Sequence, residues 1–329
     1  MVFEFDVENY YILHIKPHLP CTMYIKNNWI YSDFSQIMTS FDYTYILFQI
    51  GHEPLDPSLT GTWFGFGKQQ YIYPNIFKYI GHIYRTDGFF GLYRGVGSRI
   101  VSGFIGNYVE KTVFKAIQSH GITAGSESKE TVLKEDSKDE LIVWMKTFFK
   151  QTSQEAAAKC CGLIVSHPLH VIMIRQIAQF VGGETEYNSI YSSIGEIYRN
   201  DGILGFFAGI VPKVIGEVLL IFMSNFASQL FNKYFIEDKE LQTYFGAAFG
   251  LFFGQFVYPF QLVANVMAVN NSSLVISRYP YMPSYTSWLD CWGELRSKNQ
   301  LTRGSSLFMR YLKGDPPIST SVFVAGRRY

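Results

Sequence analysis

The feature that most restricts this chain is an internal repeat. Ile80-Gly81-His82-Ile83-Tyr84-Arg85-Thr86-Asp87-Gly88 returns 114 residues later as Ile194-Gly195-Glu196-Ile197-Tyr198-Arg199-Asn200-Asp201-Gly202. The register holds through Gly91/Gly205, Gly95/Gly209 and Arg99/Lys213. A period of that length marks one supersecondary unit used more than once, so the 329 residues form an array and not two unrelated soluble domains. The fullest copy runs from His167 to Gly216. It holds an apolar helix with a proline, an amphipathic segment, the punctuation Asp201-Gly202-x4-Phe207-Ala208-Gly209, and the start of a second apolar helix.

What the unit is built for follows from its composition. Charged residues make up 17% of the chain and hydrophobic ones 48%, against about 25% charged in ordinary soluble proteins. A membrane-spanning helix needs about 20 mostly apolar residues. Five stretches qualify: 34–50, which holds Asp42; 96–117; 156–181, which holds Lys159, His167, His170 and Arg175; 211–234, which holds Lys213 and Glu217; and a run between Glu240 and Arg278 without Asp, Glu, Lys or Arg. Between odd and even spans, Ile76, Phe77, Ile80, Ile83 and Tyr84 follow helical spacing, as do Ile190, Ile194, Ile197 and Tyr198. Such helices are expected at the membrane surface. Residues 119–140 read as a polar connector. In the third copy Trp288, Trp292 and Leu295 give a surface helix, but Lys298-Asn299-Gln300 replaces the Asp-Gly punctuation. The last 30 residues contain no apolar 20-mer, so a sixth span is expected to be missing or truncated. The fold class is therefore an all-α membrane protein of three degenerate repeats: an N-terminal segment 1–33, repeats over 34–118, 141–236 and 237–310, and a tail 311–329.

Several functions are disfavoured. A net charge of +1 gives no electrostatic footprint for nucleic acid. Cys21, Cys160, Cys161 and Cys291 lack metal-ligand spacing, and the adjacent pair reads as buried thiols, so no metal and no cofactor is expected. Glu4, Asp6 and Glu8 oppose a cleavable targeting segment, so targeting is expected to be internal. No nucleophile–base pair or phosphate loop occurs, which argues against an enzyme.

Asp87-Gly88-x4-Tyr93-Arg94-Gly95 fits the acid-Gly-x4-aromatic-base-Gly signature of the mitochondrial carrier superfamily, and the second copy departs from it only at Ala208. Carriers open each repeat with Pro-x-acid-x-x-base, whose charges gate a solute path. Here Pro168 is followed by His170 and Met173, and Pro259 by Gln261 and Ala264; in the first repeat Ser40 holds the proline position and Asp42 survives. The stretches Phe48–Pro57, Ser166–Ile172, Gly202–Lys213, Tyr258–Asn271, Tyr285–Trp292 and Arg303–Phe308 resemble one divergent branch, the mitochondrial carrier homologs, over roughly 43–310. That resemblance implies a multi-pass protein of the mitochondrial outer membrane that inserts α-helical membrane proteins, tail-anchored ones included. Its partners would be the lipid bilayer and hydrophobic client helices. Two rivals are a degenerate solute transporter and a receptor for apoptotic or metabolic regulators.

Ionisable and polar groups inside a bilayer usually face a bundle interior or a water-filled cavity. Gln255, Tyr258, Gln261 and Asn265 fall on about a third of one helix circumference, and Lys159, Ser166 and His170 are nearly in line on another. A groove open to lipid, lined by Gln49, His170, Glu217, Gln255, Tyr258 and Asn265, is the expected client path. Glu217 also reads as a partner for Lys213 one turn earlier, and Arg175 as a residue that snorkels to the interface. Tyr45 stands where the resemblance implies a lysine. Asp87, Gly88, Gly95, Asp201, Gly202 and Gly209 read as structural, and Pro168 and Pro259 as helix kinks.

Overall fold

The computed structural model describes residues 42–63, 66–124, 137–235, 239–306 and 310–311. Helix α1 (42–50) leads into a hairpin of β1 (Ser58–Trp63) and β2 (Phe66–Tyr73). The surface helix α2 (Ile76–Gly91) and the long α3 (Val96–Ala124) follow. The second repeat comprises α4 (Ser137–Ala178), α5 (Ile190–Asp201), a 3-10 turn (Ile203–Phe207) and α6 (Ile210–Phe235). The third supplies α7 (Lys239–Val269), α8 (Trp288–Ser297) and a short β3 (Arg310–Tyr311), which pairs with β2. The three-stranded antiparallel sheet adds to the helical plan read from sequence.

By length and composition, three segments among the described residues can cross a membrane: Leu141–Ala178, Ile203–Tyr234 and Tyr244–Val269. Helix α3 has the length, at 29 residues, but Arg99, Glu110, Lys111 and Lys115 make it too polar to count by the same measure. Both predicted prolines sit inside continuous helices, Pro168 in α4 and Pro259 in α7. The connector differs from expectation. Helix α3 runs on to Ala124 and α4 starts at Ser137, so both of its described ends are helical. At 42 residues α4 is about 63 Å long, twice the hydrocarbon thickness. The segment 1–33, the proline position at Ser40 and most of the tail, where the sixth span was expected to fail, lie outside the described residues.

Helices α1, α4 and α7 all end at one face of the bundle, where the surface helices pack; this face is the floor. Its core holds Leu47, Phe48, Ile76, Ile83, Ile174 and Ile197, all essentially inaccessible. A second cluster joins Leu262 and Val266 of α7 to Cys291 and Leu295 of α8. The three surface helices are started alike. Asn75, Ser189 and Ser287 each accept a hydrogen bond from the backbone N–H three residues on, and the two serines form full capping boxes.

The turns after the surface helices carry the repeat's logic. Gly88 (φ 75°) and Gly202 (φ 67°) take the same left-handed backbone, breaking α2 and ending α5. Seven residues on, Gly95 (φ 80°) and Gly209 (φ 78°) are again left-handed, as is Gly304 (φ 80°) in the third repeat. Each packs on the next repeat's odd helix: Gly95 against Met173, Gly209 against the Ala264 carbonyl, and Gly304 against Phe48 and Gln49 of α1. The three repeats thus close into a ring at the floor.

The acids of the turns pair with unlike partners. Asp87 meets Arg94 of its own motif at 3.1 Å. Where Ala208 has replaced that arginine, Asp201 instead meets Arg175 at 2.6 Å. Arg175 therefore does not snorkel: it is 0% exposed and also donates from Nε to the Ala268 carbonyl at 3.0 Å. The cysteines depart from expectation too. Cys291 is buried, but Cys160 is half-buried and Cys161 exposed. Neighbours on an α-helix point about 100° apart, so the two cannot share one buried side.

Candidate functional site

Four of the six expected groove residues meet, and they meet in a closed network. His170 Nε2 lies 3.3 Å from Asn265 Oδ1, which accepts only if that nitrogen carries the proton. Asn265 Nδ2 donates to Gln49 Oε1 at 2.5 Å, and Gln49 Nε2 donates to the Tyr258 hydroxyl at 3.4 Å. The Tyr258 hydroxyl donates to the Arg303 carbonyl. Arg303 returns the chain to its origin, donating from Nε and Nη2 to the Gln49 carbonyl at 3.0 and 2.6 Å, with Nη1 on Gln300 at 3.1 Å. Helices α1, α4 and α7 and the turn before Gly304 are joined by amides, a hydroxyl, an imidazole and one guanidinium.

These residues do not line an open groove. Gln49 is 0%, Asn265 3% and Tyr258 7% exposed. The expectation placed them along a groove open to lipid. Because the Gly304 turn seats on α1, the floor is shut whatever follows it. Tyr45 packs edge-on against Tyr258 with ring centres 6.2 Å apart, so the position where a lysine was implied adds an aromatic wall to the seal. Just outside, Arg310 grips Glu53 with both terminal nitrogens, at 2.9 and 2.6 Å, and its guanidinium lies 3.5 Å from the Phe48 ring centre. Burial pushes the Glu53 carboxyl up, against the opposing pull of Arg310.

The remaining polar groups form a wall above the floor. Glu217 is half-buried, and its charge and that of Lys159 both act on Lys213. Lys159 pairs with Glu110 of α3 at 3.1 Å, each side chain 32% exposed. Asn225 of α6 donates to Glu155 of α4 at 2.7 Å. Gln255 is exposed, one turn before Tyr258 on α7. The stripe expected on α4 is divided: Ser166 is buried against Gly106 of α3, whereas Lys159 reaches a partly wet ion pair. Charged groups on helices long enough to span usually face a bundle interior or a water-filled cavity.

Sequence reasoning missed Arg303, Glu53 and Arg310 because each gains its meaning from a partner more than 250 residues away. Glu110 was findable, since it is the acid inside the polar second span. Among the described residues no group of three or more His, Cys, Asp or Glu side chains could hold a metal ion.

With this geometry the similarities can be weighed. The family model described as Mitochondrial carrier protein matches residues 62–123 and 146–239. Mitochondrial carrier homolog 2 of Homo sapiens is 38% identical over 277 residues, covering 82% of this chain and 88% of that protein. Mitochondrial carrier homolog 1 of Mus musculus is 33% identical over 290 residues, covering 82% of this chain and 72% of that protein. A Mitochondrial 2-oxodicarboxylate carrier of Rattus norvegicus is 37% identical over 68 residues, 20% of this chain.

Proposed function

Starting from a chain that belongs to the mitochondrial carrier homolog family, a multi-pass membrane protein of carrier type, we propose that it is an insertase of the mitochondrial outer membrane for α-helical proteins, tail-anchored ones included. The observation that carries the reading is the wall of half-exposed charge, Glu110–Lys159 with Lys213 and Glu217, inside helices α3, α4 and α6. Moving a client helix into lipid requires its polar flank to cross hydrocarbon, where each unpaired polar group costs several kcal/mol. Hydrated charges along the wall stand in for water during that crossing while the apolar segment moves sideways into lipid. The sealed floor has a different part: it fixes the ends of the helices that carry the wall. No nucleotide or covalent step is required.

A carrier-type exchange cycle has less support. The positions where carriers place the base of each gate pair are Met173 and Ala264, and both are buried seats for the glycine turns of the preceding repeat.

The test is insertion of a single-span client by purified protein in liposomes, scored by protease protection of its short flank. Protection several-fold above protein-free liposomes is expected. Glu217→Lys, which places a third cation beside Lys159 and Lys213, should change it in a manner dependent on flank charge. No gain over empty liposomes, or saturable counter-exchange of a carboxylate or nucleotide, would overturn the reading.

A further inference from the structure

Only part of each surface helix's apolar stripe is turned to the bundle. In α2 Ile76, Tyr79 and Ile83 are buried, while Tyr84, Phe89 and Phe90 are exposed at that helix and the turn it opens. The second repeat exposes Tyr198, Ile203 and Leu204 at the same places. The match is close: Phe90 is 85% and Leu204 83% exposed. An exposed large apolar group in one repeat is ordinary, but the same three sites in both repeats form a patterned surface that needs an occupant.

The third repeat does not share it. Counted from the N-caps Asn75, Ser189 and Ser287, the partner of Tyr84 and Tyr198 is Arg296. The third turn is three residues shorter, and Asn299 (φ 52°) takes the left-handed place of Gly88 and Gly202 in it. The partners of Phe89 and Phe90 are then Gln300 and Leu301, both half-buried. Arg296 is exposed, as is Lys298 at the end of α8, which is held by Glu294 at 2.5 Å one turn earlier.

We propose that the floor docks on lipid unevenly: the α2 and α5 sides embed their exposed apolar residues at the headgroup–acyl boundary, and the α8 side stays in water. Lipid is the favoured occupant because each patch continues into the flank of a long helix. Beyond Phe90 come the exposed Ile100 and Phe104 of α3, and beyond Leu204 comes the exposed Val211 of α6. A helix lying in the interface buries such residues about 5–10 Å below the headgroups, and aromatic rings are favoured at that depth. On the α8 side the cations Arg296 and Lys298 would have to shed water to reach the same level. Headgroups and water therefore approach the bundle most closely at the third repeat.

The experiment uses single nitroxide labels on the full chain in phosphatidylcholine liposomes, with Cys21, Cys160, Cys161 and Cys291 replaced by Ala. Labels are attached at Phe90→Cys, Leu204→Cys and Arg296→Cys, with Tyr84→Cys, Tyr198→Cys and Lys298→Cys as a second set should one variant fail to fold. Collision with oxygen, which partitions into lipid, is compared with collision with a water-soluble nickel chelate. An oxygen-to-nickel ratio at least threefold higher at 90 and 204 than at 296 is expected. Equal ratios at all three sites would overturn the proposal, as would protection of 90 and 204 from both reagents, the sign of a covering protein or second copy. Because the readout needs no client, it can fail while insertion holds, and the reverse.

Discussion

The seam between the second and third repeats and the seam between the third and first use the same turn and hold it in different ways. In the former Gly209 lies against the Ala264 backbone, His167 Nε2 meets the Ala208 carbonyl at 3.0 Å, and the buried Arg175–Asp201 pair spans the turn. In the latter Gly304 lies against Phe48 and Gln49, no acid occupies the Asp201 position, and Arg303 caps the end of α1 through the Gln49 carbonyl. The difference teaches how a repeat degrades without opening the ring. When Ala208 removed the motif arginine, a cation from the odd helix of the same repeat replaced it. When Lys298-Asn299-Gln300 replaced the Asp-Gly punctuation, the surviving arginine found a helix C-terminus, whose unsatisfied carbonyls favour cations. One seam rests on an ion pair and the other on hydrogen bonds, so the two should fail under different perturbations.

The largest effect is expected at the ion-pair seam. Arg175→Ala leaves Asp201 without its partner in a mostly buried site, a change that typically costs about 3–5 kcal/mol. Loss of most folded protein is expected, measured as abundance and as thermal unfolding in detergent. Arg175→Met with Asp201→Leu removes both charges and should recover much of the loss. A single variant as stable as the parent would break the contrast between the seams.

Next comes the pair of glycine substitutions. A Cβ at Gly209 would collide with the Ala264 carbonyl oxygen, whereas one at Gly304 would sit 3.2–3.3 Å from Phe48 and Gln49 atoms. Both positions suffer the strain of a left-handed alanine, roughly 1–3 kcal/mol, and only Gly209 adds a backbone collision. Gly209→Ala should therefore lower the melting temperature clearly more than Gly304→Ala, and the reverse order would show that the hydrogen-bonded seam is the tighter one.

How much of this could be read beforehand follows from the range of each signal. The repeat, the caps and the glycine turns are local, and local pattern is what a sequence displays. The paired glycines Gly88/Gly202 and Gly95/Gly209 adopt matching conformations, as their register suggests. The polar residues of the spans were also visible, but their roles depend on which helix stands opposite. Gln49, Tyr258 and Asn265 looked like groove lining because periodicity places them on one face; whether water or another amide covers that face is a tertiary fact. Arg175 misled for the same reason. Its partner Asp201 is recognisable only once Ala208 is seen to have removed the arginine that the motif would have supplied. Within the sheet, β3 could not be read because it is two residues long and pairs with a strand far away in the chain, whereas the β1–β2 hairpin is local and was overlooked.

A smaller effect is expected at Arg303. Arg303→Ala removes the bonds to the Gln49 carbonyl and leaves that helix end buried and under-satisfied, about 1–3 kcal/mol. Arg303→Lys can keep the charge but not the two-pronged contact, so it should lie between. The seam also positions the wall. Insertion per folded molecule should fall in Arg303→Ala, more than in a surface control such as Arg296→Ala, in the reconstituted assay. Unchanged insertion would separate ring closure from function.

The smallest effect is one of pH, at a residue beside the third–first seam. His52 follows α1, next to the Gly51 on which the Arg303 guanidinium packs. Its ring lies edge-on to Tyr79 and Phe180, with centres 6.3 and 5.8 Å away. Burial, and then the neighbouring His82, push its pKa down to about 4. A histidine whose folded pKa is depressed favours the folded state fully above its unfolded value of about 6.5 and loses that advantage as pH falls toward about 4. Acidifying from pH 7 to 5.5 should thus remove about 1 kcal/mol through this group. Hydrogen exchange of the amides at 50–53 and 79–82 should rise first, because those segments surround the ring. His52→Gln removes the titration and should flatten that dependence while leaving the abundance set by Arg175 and Asp201 unchanged. If exchange in these segments has the same pH slope in parent and variant, the seam's acid sensitivity resides in another group, and the distinction between the two seams holds for mutation alone.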